Sequence, residues 1–147
     1  MNAFNELWVL GHRIKPMLSS GDFDAVIGES SKEAQSWPPH YHTKFTEFFY
    51  VMDGELEFLI DGKPVRVKAG ESIDIPAYTL HTFKNPNDEL ARWMNVYSPK
   101  GYMSFFYDLG ISRDLELAEE VSVSGSSITK LLSRANHYDM FLSIEVA

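Results

Sequence analysis

The chain has 147 residues, 44% of them hydrophobic and 23% charged, which suits one globular domain and excludes a disordered or fibrous protein. A net charge of −8 disfavours a nucleic-acid partner, and the absence of cysteine leaves only histidine and carboxylate ligands for a metal. No apolar stretch is long enough to span a bilayer and no secretion signal begins the chain, so we expect no membrane contact and a cytoplasmic location.

Two segments near the N-terminus have the composition of strands. They run from Leu7 to Leu10 and from Phe23 to Ile27. Both are short apolar runs, and the polar residues 19–22 precede the second one directly. The sequence therefore predicts two strands before the main β region.

The middle of the chain, from residue 45 to residue 97, predicts an all-β structure, since turn signals recur about every eight to ten residues. The clearest hairpin signal is Asp61-Gly62, because these residues tolerate the positive φ angles of a two-residue turn. Pro64 should lie at a strand start or on a sheet edge, since it lacks an N–H. Residues 65–68 and 72–75 alternate apolar with polar, which predicts two half-buried strands.

After residue 98 the spacing of the apolar residues becomes that of a helix. The sequence predicts a short helix with Ser98 as its cap, Pro99 in its first turn and Gly110 at its end. Its apolar face consists of Tyr102, Phe105, Phe106 and Leu109.

A second helix is predicted to begin near Ser126-Ser127. Its apolar face consists of Ile128, Leu131, Leu132 and Ala135. We expect residues 111–125 to form a linker or mobile loop, and residues 141–146 to close the chain as an extended segment. Residues 1–147 then form a single domain, with a barrel core at about 34–98 and a C-terminal helical extension at about 99–147.

Three of the five histidines lie in the β region, together with a carboxylate. His40 and His42 would point to one face of a strand, so both imidazoles could reach one ion. Glu47 has the opposite parity and can join them only if residues 43–44 form a turn or bulge. His81 can join only if the intervening hairpins bring its strand beside the first. Three imidazoles and one carboxylate suit one divalent Fe, Mn, Co, Ni or Zn ion with positions open for water or substrate.

A lone histidine on a strand is more often structural than a ligand, and we expect surface or packing roles for His12 and His137. The combined pattern, however, resembles the two motifs of the cupin family. The first motif, HxHx(3,4)Ex(6)G, is matched by His40, His42, Glu47 and Gly54, and the second, Gx(5)PxGx(2)Hx(3)N, by Gly70, Pro76, His81 and Asn85. This resemblance implies a double-stranded β-helix, or jelly-roll barrel, with a metal in its mouth.

Two positions depart from the family pattern. Ala34 and Tyr78 stand where the family has glycine. A side chain at position 78 would cost about 1 kcal/mol if the turn requires a positive φ. The departures concern local turn geometry and leave the four candidate ligands unchanged.

Further segments are similar to single-domain cupins of the bacterial quercetin 2,3-dioxygenase type. They are residues 38–40, 47–51, 98–99 and the aromatic helix that ends at 108–110. The resemblance implies a metal-dependent dioxygenase acting on a flavonol-like or other aromatic enol. It also points to a homodimer, which the sheet edges of a small barrel and an apolar face on the C-terminal helices favour independently.

Roles for individual residues follow from this hypothesis. Glu47 is expected to act as a ligand and as the catalytic base. Phe49 and Phe83 have the strand parity of Glu47 and His81, so they are expected to line an apolar pocket for a small-molecule substrate. Two alternatives stay open: a metal-dependent isomerase of a small hydroxy-carbonyl compound, and a non-enzymatic metal- or ligand-binding protein.

Overall fold

Two antiparallel sheets make up most of the computed structural model, which describes residues 5–143. The strands are β1 (Leu7–Val9), β2 (His12–Met17), β3 (Asp24–Ser30), β4 (His40–Tyr41), β5 (Thr46–Asp53), β6 (Glu55–Ile60), β7 (Lys63–Lys68), β8 (Ser72–Ile75), β9 (His81–Lys84), β10 (Ala91–Ser98), β11 (Ile111–Ser112) and β12 (Phe141–Leu142). The helices are α1 (Met103–Leu109), α2 (Ala118–Ser122) and α3 (Gly125–Arg134), and a 3₁₀ helix follows at Ala135–Tyr138. None of these helices is long and apolar enough to cross a membrane.

The hydrophobic core lies between the two sheets. One sheet has seven strands in the order β11-β1-β2-β3-β10-β5-β8, and the other has five in the order β12-β4-β9-β6-β7. Phe49 of the first sheet packs with its ring centroid 5.0 Å from that of Phe58 and 5.2 Å from that of Phe83, both in the second sheet. Trp93 joins them, 5.3 Å from Phe83. The predicted all-β, double-stranded β-helix fold with short C-terminal helices is confirmed.

The predicted hairpin joins β6 and β7. Ile60 pairs with Lys63, so the turn consists of two residues, Asp61 at φ 51° and Gly62 at φ 82°. Pro64 lies near the start of β7, an edge strand, where a missing N–H breaks no ladder, as predicted. Residues 65–68 are more exposed than expected. β7 is the edge strand of its sheet, paired with β6 only, and Val67 is its one buried residue.

The N-terminal region contributes more to the sheets than the sequence indicated. The two predicted strands are confirmed as β1 and β3, but β2 between them was not predicted. Its buried positions include His12 and Pro16, so its pattern is not that of an apolar strand. All three strands belong to the seven-stranded sheet, which therefore begins well before residue 34.

The first C-terminal helix begins later than predicted. It starts at Met103, and its N-cap residue Tyr102 makes no side-chain capping bond, so the assignments of Ser98 as cap and of Pro99 to the first turn were wrong. The buried carboxylate of Asp24 instead accepts N–H bonds from Gly101 (2.7 Å) and Met103 (3.2 Å). A carboxylate near a helix start is favourable electrostatically, and here it comes from a distant strand. The predicted end at Gly110 is confirmed.

The remaining C-terminal predictions are confirmed in part. α3 begins at Gly125 and its N-cap is Ser124, whose hydroxyl accepts the N–H of Ser127 (3.3 Å). Leu131 is buried in α3 as expected, but Leu132 is 46% exposed. The linker predicted at 111–125 was wrong, since it contains β11, which pairs with β1, and α2. The closing extended segment is confirmed at β12, and residues 144–146 lie outside the described residues.

Candidate metal centre

The three histidines of the two motifs use the same ring nitrogen, Nδ1, to bond to the backbone. The Nδ1 atom of each lies within hydrogen-bond distance of a backbone carbonyl: His40 with Pro38 (2.7 Å), His42 with Asp139 (2.7 Å) and His81 with Thr79 (2.8 Å). A carbonyl oxygen only accepts, so Nδ1 must carry the proton. In the neutral ring this leaves the Nε2 lone pair available for a metal.

The carboxylate joins the histidines through a bend in the chain. β4 ends at Tyr41, and the chain bends at residues 43–44 before β5 begins at Thr46. The predicted turn is therefore confirmed. It places Glu47 Oε2 3.0 Å from His42 Nε2 and 2.6 Å from His81 Nε2.

The fourth residue arrives through sheet pairing. β9 lies beside β4 and His81 pairs directly with His40, as predicted. All four residues are buried, and one potential ligand atom from each lies within 4.8 Å of the others. The structure thus brings together a buried cluster of three imidazoles and one carboxylate that could hold a metal ion. We call His40, His42, Glu47 and His81 the ligand cluster.

The pKa shifts in the ligand cluster favour a positive charge next to the Glu47 carboxylate. Burial raises the pKa of Glu47, but His81 and His42 more than offset this and hold that pKa well below its usual value. Burial likewise lowers the pKa of His81, and the Glu47 carboxylate outweighs it, so the pKa of His81 is raised. Burial and the like charges of His81 and His42 lower the pKa of His40 to about 3. The cluster therefore favours positive charge beside the Glu47 carboxylate, and a metal ion could supply that charge.

A small cavity of about 10 Å³ lies against the cluster, roughly the space one water molecule needs. Its walls include Trp37, Phe49, Phe83, Trp93, Tyr97 and Phe106. The indole Nε1 of Trp37 is buried without a hydrogen-bond partner among residues 5–143. The cavity walls are thus mainly aromatic.

Phe49 and Phe83 lie where strand parity placed them, on the inner face with the ligand cluster. Both are also central to the core, since Phe49 is 1% and Phe83 5% exposed and each packs against Phe58 and Trp93. Their contact with a substrate remains a prediction.

Sequence reasoning missed two polar residues on β10 that orient the carboxylate. Asn95 Nδ2 donates to Glu47 Oε1 (3.3 Å), and the Tyr97 hydroxyl also hydrogen-bonds to Glu47. Burial and the Glu47 charge raise the pKa of Tyr97 well above its usual value, so its hydroxyl keeps its proton. The signal was present, because an asparagine alternates with Trp93 and Tyr97 on the buried face of the strand.

Histidines outside the ligand cluster have other surroundings. His12 is fully buried and stacks 5.6 Å from Trp37, which confirms its packing role. His137 is exposed in the 3₁₀ helix. Tyr78 adopts φ 67°, the left-handed conformation that the family reserves for glycine, and its side chain is 73% exposed. Its backbone N–H donates to His42 O (2.7 Å), so the strained turn lies against the backbone of His42.

Comparisons with known proteins agree with this geometry. Residues 29–97 match the model of the cupin domain. Residues of the chain are 28% identical over 92 positions to quercetin 2,3-dioxygenase of Bacillus subtilis (strain 168), covering 63% of this chain and 27% of that protein. They are 40% identical over 60 positions to polyketide synthase CurC of Streptomyces cyaneus, covering 41% of this chain and 39% of that protein. The chain thus spans less than half the length of these two relatives.

Solved structures show the same fold. KdgF from Halomonas sp. superposes with a TM-score of 0.55 at 22% identity, over 62% of this chain and 81% of that one. A sugar phosphate isomerase of the cupin superfamily from Silicibacter pomeroyi superposes with a TM-score of 0.55 at 25% identity, over 61% of this chain and 60% of that one.

Proposed function

We propose that the chain binds one divalent transition metal through His40, His42, Glu47 and His81. The observation that carries this proposal is the convergence of three Nδ1-protonated imidazoles and one carboxylate within 4.8 Å in a buried site. Nitrogen and oxygen donors of this kind suit Fe, Mn, Co, Ni or Zn. Burial also makes an uncompensated carboxylate expensive, so a cation at this position would be stabilising.

We propose further that the metal-loaded protein is a dioxygenase acting on a flavonol-like or other aromatic enol. The likeness to quercetin 2,3-dioxygenase and the aromatic cavity walls support this substrate class. The bound ion would act as a Lewis acid that lowers the pKa of a hydroxyl oxygen.

The protein's own residues would bind the ring and move the proton. Glu47 would accept the proton of the hydroxyl group, and the hydrogen bonds from Asn95 and Tyr97 to its carboxylate support this role. Phe49 and Phe83 would contact the ring system and exclude water. A ring is larger than the cavity of about 10 Å³, so substrate binding requires the wall side chains to move.

The size of the cavity favours a second candidate, a metal-dependent isomerase of a small hydroxy-carbonyl compound. Such a molecule needs less displacement of the walls than an aromatic ring system does. The fold likeness to the sugar phosphate isomerase supports the same reaction class. A third candidate is a non-enzymatic metal- or ligand-binding cupin, which would share every residue of the ligand cluster.

One experiment separates the three functions. The purified chain is reconstituted with each candidate metal, and oxygen uptake is measured with a panel of flavonols and catechols. The same samples are incubated with small hydroxy aldehydes and ketones, and isomer formation is followed by proton NMR. Oxygen uptake that disappears in His42→Ala supports the dioxygenase. Isomer formation alone supports the second candidate, and a metal-loaded protein inactive in both assays is a binding protein.

A cytoplasmic homodimer is a separate proposal. The β7 edge carries Pro64 and three cations, a composition that discourages pairing between edges. We therefore expect the dimer to form through another face. A monomeric mass by light scattering at micromolar concentration would refute it.

A further inference from the structure

The C-terminal end of the described chain lies alongside β4, the strand that carries His40 and directly precedes His42. β12 covers the outer edge of β4 and pairs antiparallel with it. The paired residues are Phe141 with Tyr41 and Leu142 with His40, and Ser143 N donates to Pro39 O (3.0 Å). This segment lies outside residues 29–97, which match the cupin domain. The surroundings of the ligand cluster therefore extend beyond the cupin domain itself.

Asp139 makes the most direct connection. Its backbone carbonyl accepts the Nδ1–H of His42 at 2.7 Å. Its side chain accepts three more bonds from the bend that follows His42: Oδ2 from the N–H groups of Thr43 (2.9 Å) and Lys44 (2.7 Å), and Oδ1 from the Thr43 hydroxyl (2.5 Å). Asp139 is buried and adopts φ 60°. One residue thus contacts a ligand histidine and the bend that brings Glu47 to it.

The three histidines differ in where their carbonyl partner comes from. His40 and His81 each bond to the carbonyl two residues earlier, in Pro38 and Thr79, so β4 and β9 position those rings locally. His42 bonds to a carbonyl 97 residues away in sequence. Its ring orientation therefore depends on the C-terminal segment staying in place.

We propose that Asp139 is a positioning residue of the metal centre, an inference that rests on the proposed metal binding. The Asp139 carboxylate bonds to the bend at residues 43–44. These bonds hold the backbone carbonyl of Asp139 against His42 Nδ1. That bond fixes the tautomer in which His42 Nε2 faces Glu47 and raises the basicity of the ring. Loss of the carboxylate frees the carbonyl, so His42 loses its orientation even though the side chain itself touches no ligand.

The coupling must also act in the opposite direction. If the C-terminal segment improves metal binding, then a bound metal stabilises the C-terminal segment by the same free energy. Amide hydrogens of residues 139–143 should therefore exchange more slowly in the metal-loaded protein than in the metal-free protein.

The test measures Co²⁺ affinity of the full-length chain by visible absorption, which also reports ligand geometry. Asp139→Ala removes all three side-chain bonds and should weaken Co²⁺ binding about 10–100-fold, the range typical of partners that orient metal ligands. Asp139→Asn keeps one acceptor oxygen and a residue that tolerates positive φ, so it should restore part of the affinity. Thr43→Val removes one bond only and should have the smallest effect.

The matched control is Asn85→Ala. Asn85 is also buried and its side chain also makes three hydrogen bonds to backbone atoms, with Ser30 O, Glu89 O and Asn87 N, and none to the four ligands. It should lower the melting temperature without changing the Co²⁺ affinity or spectrum. If Asp139→Ala does not fold, Asp139→Asn and Thr43→Val still give the predicted order.

The outcomes distinguish this inference from the proposed function. If wild-type protein binds no Co²⁺, the metal proposal fails and this one fails with it. If wild-type protein binds Co²⁺ and the Asp139 variants bind it within about twofold of wild type with an unchanged spectrum, only the positioning role is overturned. Slower amide exchange at 139–143 on Co²⁺ addition supports the coupling, and unchanged exchange contradicts it.

Discussion

Two groups of buried histidines in this molecule differ in what their ring nitrogens contact. His12 has both nitrogens bonded to the protein: Nε2 donates to Gln35 O (2.6 Å), and Nδ1 accepts from the Ser30 hydroxyl (2.7 Å), which in turn accepts the Trp93 indole N–H (2.9 Å). The histidines of the ligand cluster have the opposite tautomer. Their Nδ1 atoms bond to carbonyls, while the Nε2 atoms of His42 and His81 converge on one carboxylate.

The comparison shows that burial alone does not identify a metal ligand. Burial lowers the pKa of His12 to about 4 and that of His40 to about 3, so both rings are neutral near pH 7. The difference is that the hydrogen-bonding capacity of His12 is used up by Ser30 and Gln35. The ligand cluster instead leaves several nitrogen atoms facing one point, which suits a cation.

The largest expected effect concerns the carboxylate of the ligand cluster. Glu47→Gln keeps the shape but removes the charge and the proton acceptor. At saturating metal, turnover of the active substrate should fall about 10²–10⁴-fold, the range typical of a general base. Steady-state rates with metal content measured in parallel test this, and Glu57→Gln, on the outer face of β6, is the control. Full activity in Glu47→Gln would show that Glu47 is not the base.

The next effect concerns His12 and the stability of the metal-free protein. Because its pKa falls from 6.5 in the unfolded chain to about 4, the unfolded state binds more protons between these values. Stability is therefore complete above about pH 6.5 and is lost as the pH falls toward 4. In His12→Gln the loss of unfolding free energy between about pH 7 and pH 5 should be smaller than in wild type by about 2 kcal/mol. Urea unfolding at both pH values measures this.

The same variant sharpens the comparison of the two histidine groups. His12 contacts none of the four ligands, so Co²⁺ affinity in His12→Gln should equal that of wild type. An equal pH dependence of stability in both proteins would contradict the burial argument for His12. Loss of Co²⁺ binding would contradict the division into structural and ligand histidines.

A smaller effect is expected for the pH dependence of metal binding. The Glu47 carboxylate outweighs burial and raises the pKa of His81 above 6.5, so a metal must displace a proton from His81 below that pKa. Affinity should therefore fall as the pH falls, by up to about tenfold per pH unit. Co²⁺ titrations at about pH 6, 7 and 8 measure the slope. An affinity independent of pH over this range would show that no proton is displaced.

The smallest effect concerns the turn at Tyr78. Its φ of 67° is strained for any residue with a Cβ atom. Tyr78→Gly should be more stable than Tyr78→Ala by about 1 kcal/mol, because both remove the exposed ring and only glycine relieves the strain. Thermal unfolding of the two variants tests this. Equal stability would mean that the turn adopts another conformation.

The sequence predicted the features that depend on local chemistry or strand parity. Asp61-Gly62 specifies its own turn, and His40 and His42 share a face because of their spacing. The features that it did not reveal depend on distant partners. β11 forms only against β1, Asp24 replaces the expected cap at the start of α1, and Asp139 reaches His42 from 97 residues away. No local pattern encodes these contacts, because each residue alone resembles a surface or turn residue.

The metal content of the protein tests the central claim most directly. Wild-type protein and the variants His42→Ala and His12→Gln are each incubated with Co²⁺, passed through a desalting column and measured by elemental analysis, with circular dichroism as a check on the fold. We predict one ion per chain in wild type and in His12→Gln, and background metal in a folded His42→Ala. Full occupancy in His42→Ala, or no metal in wild type, would contradict the assignment of the ligand cluster.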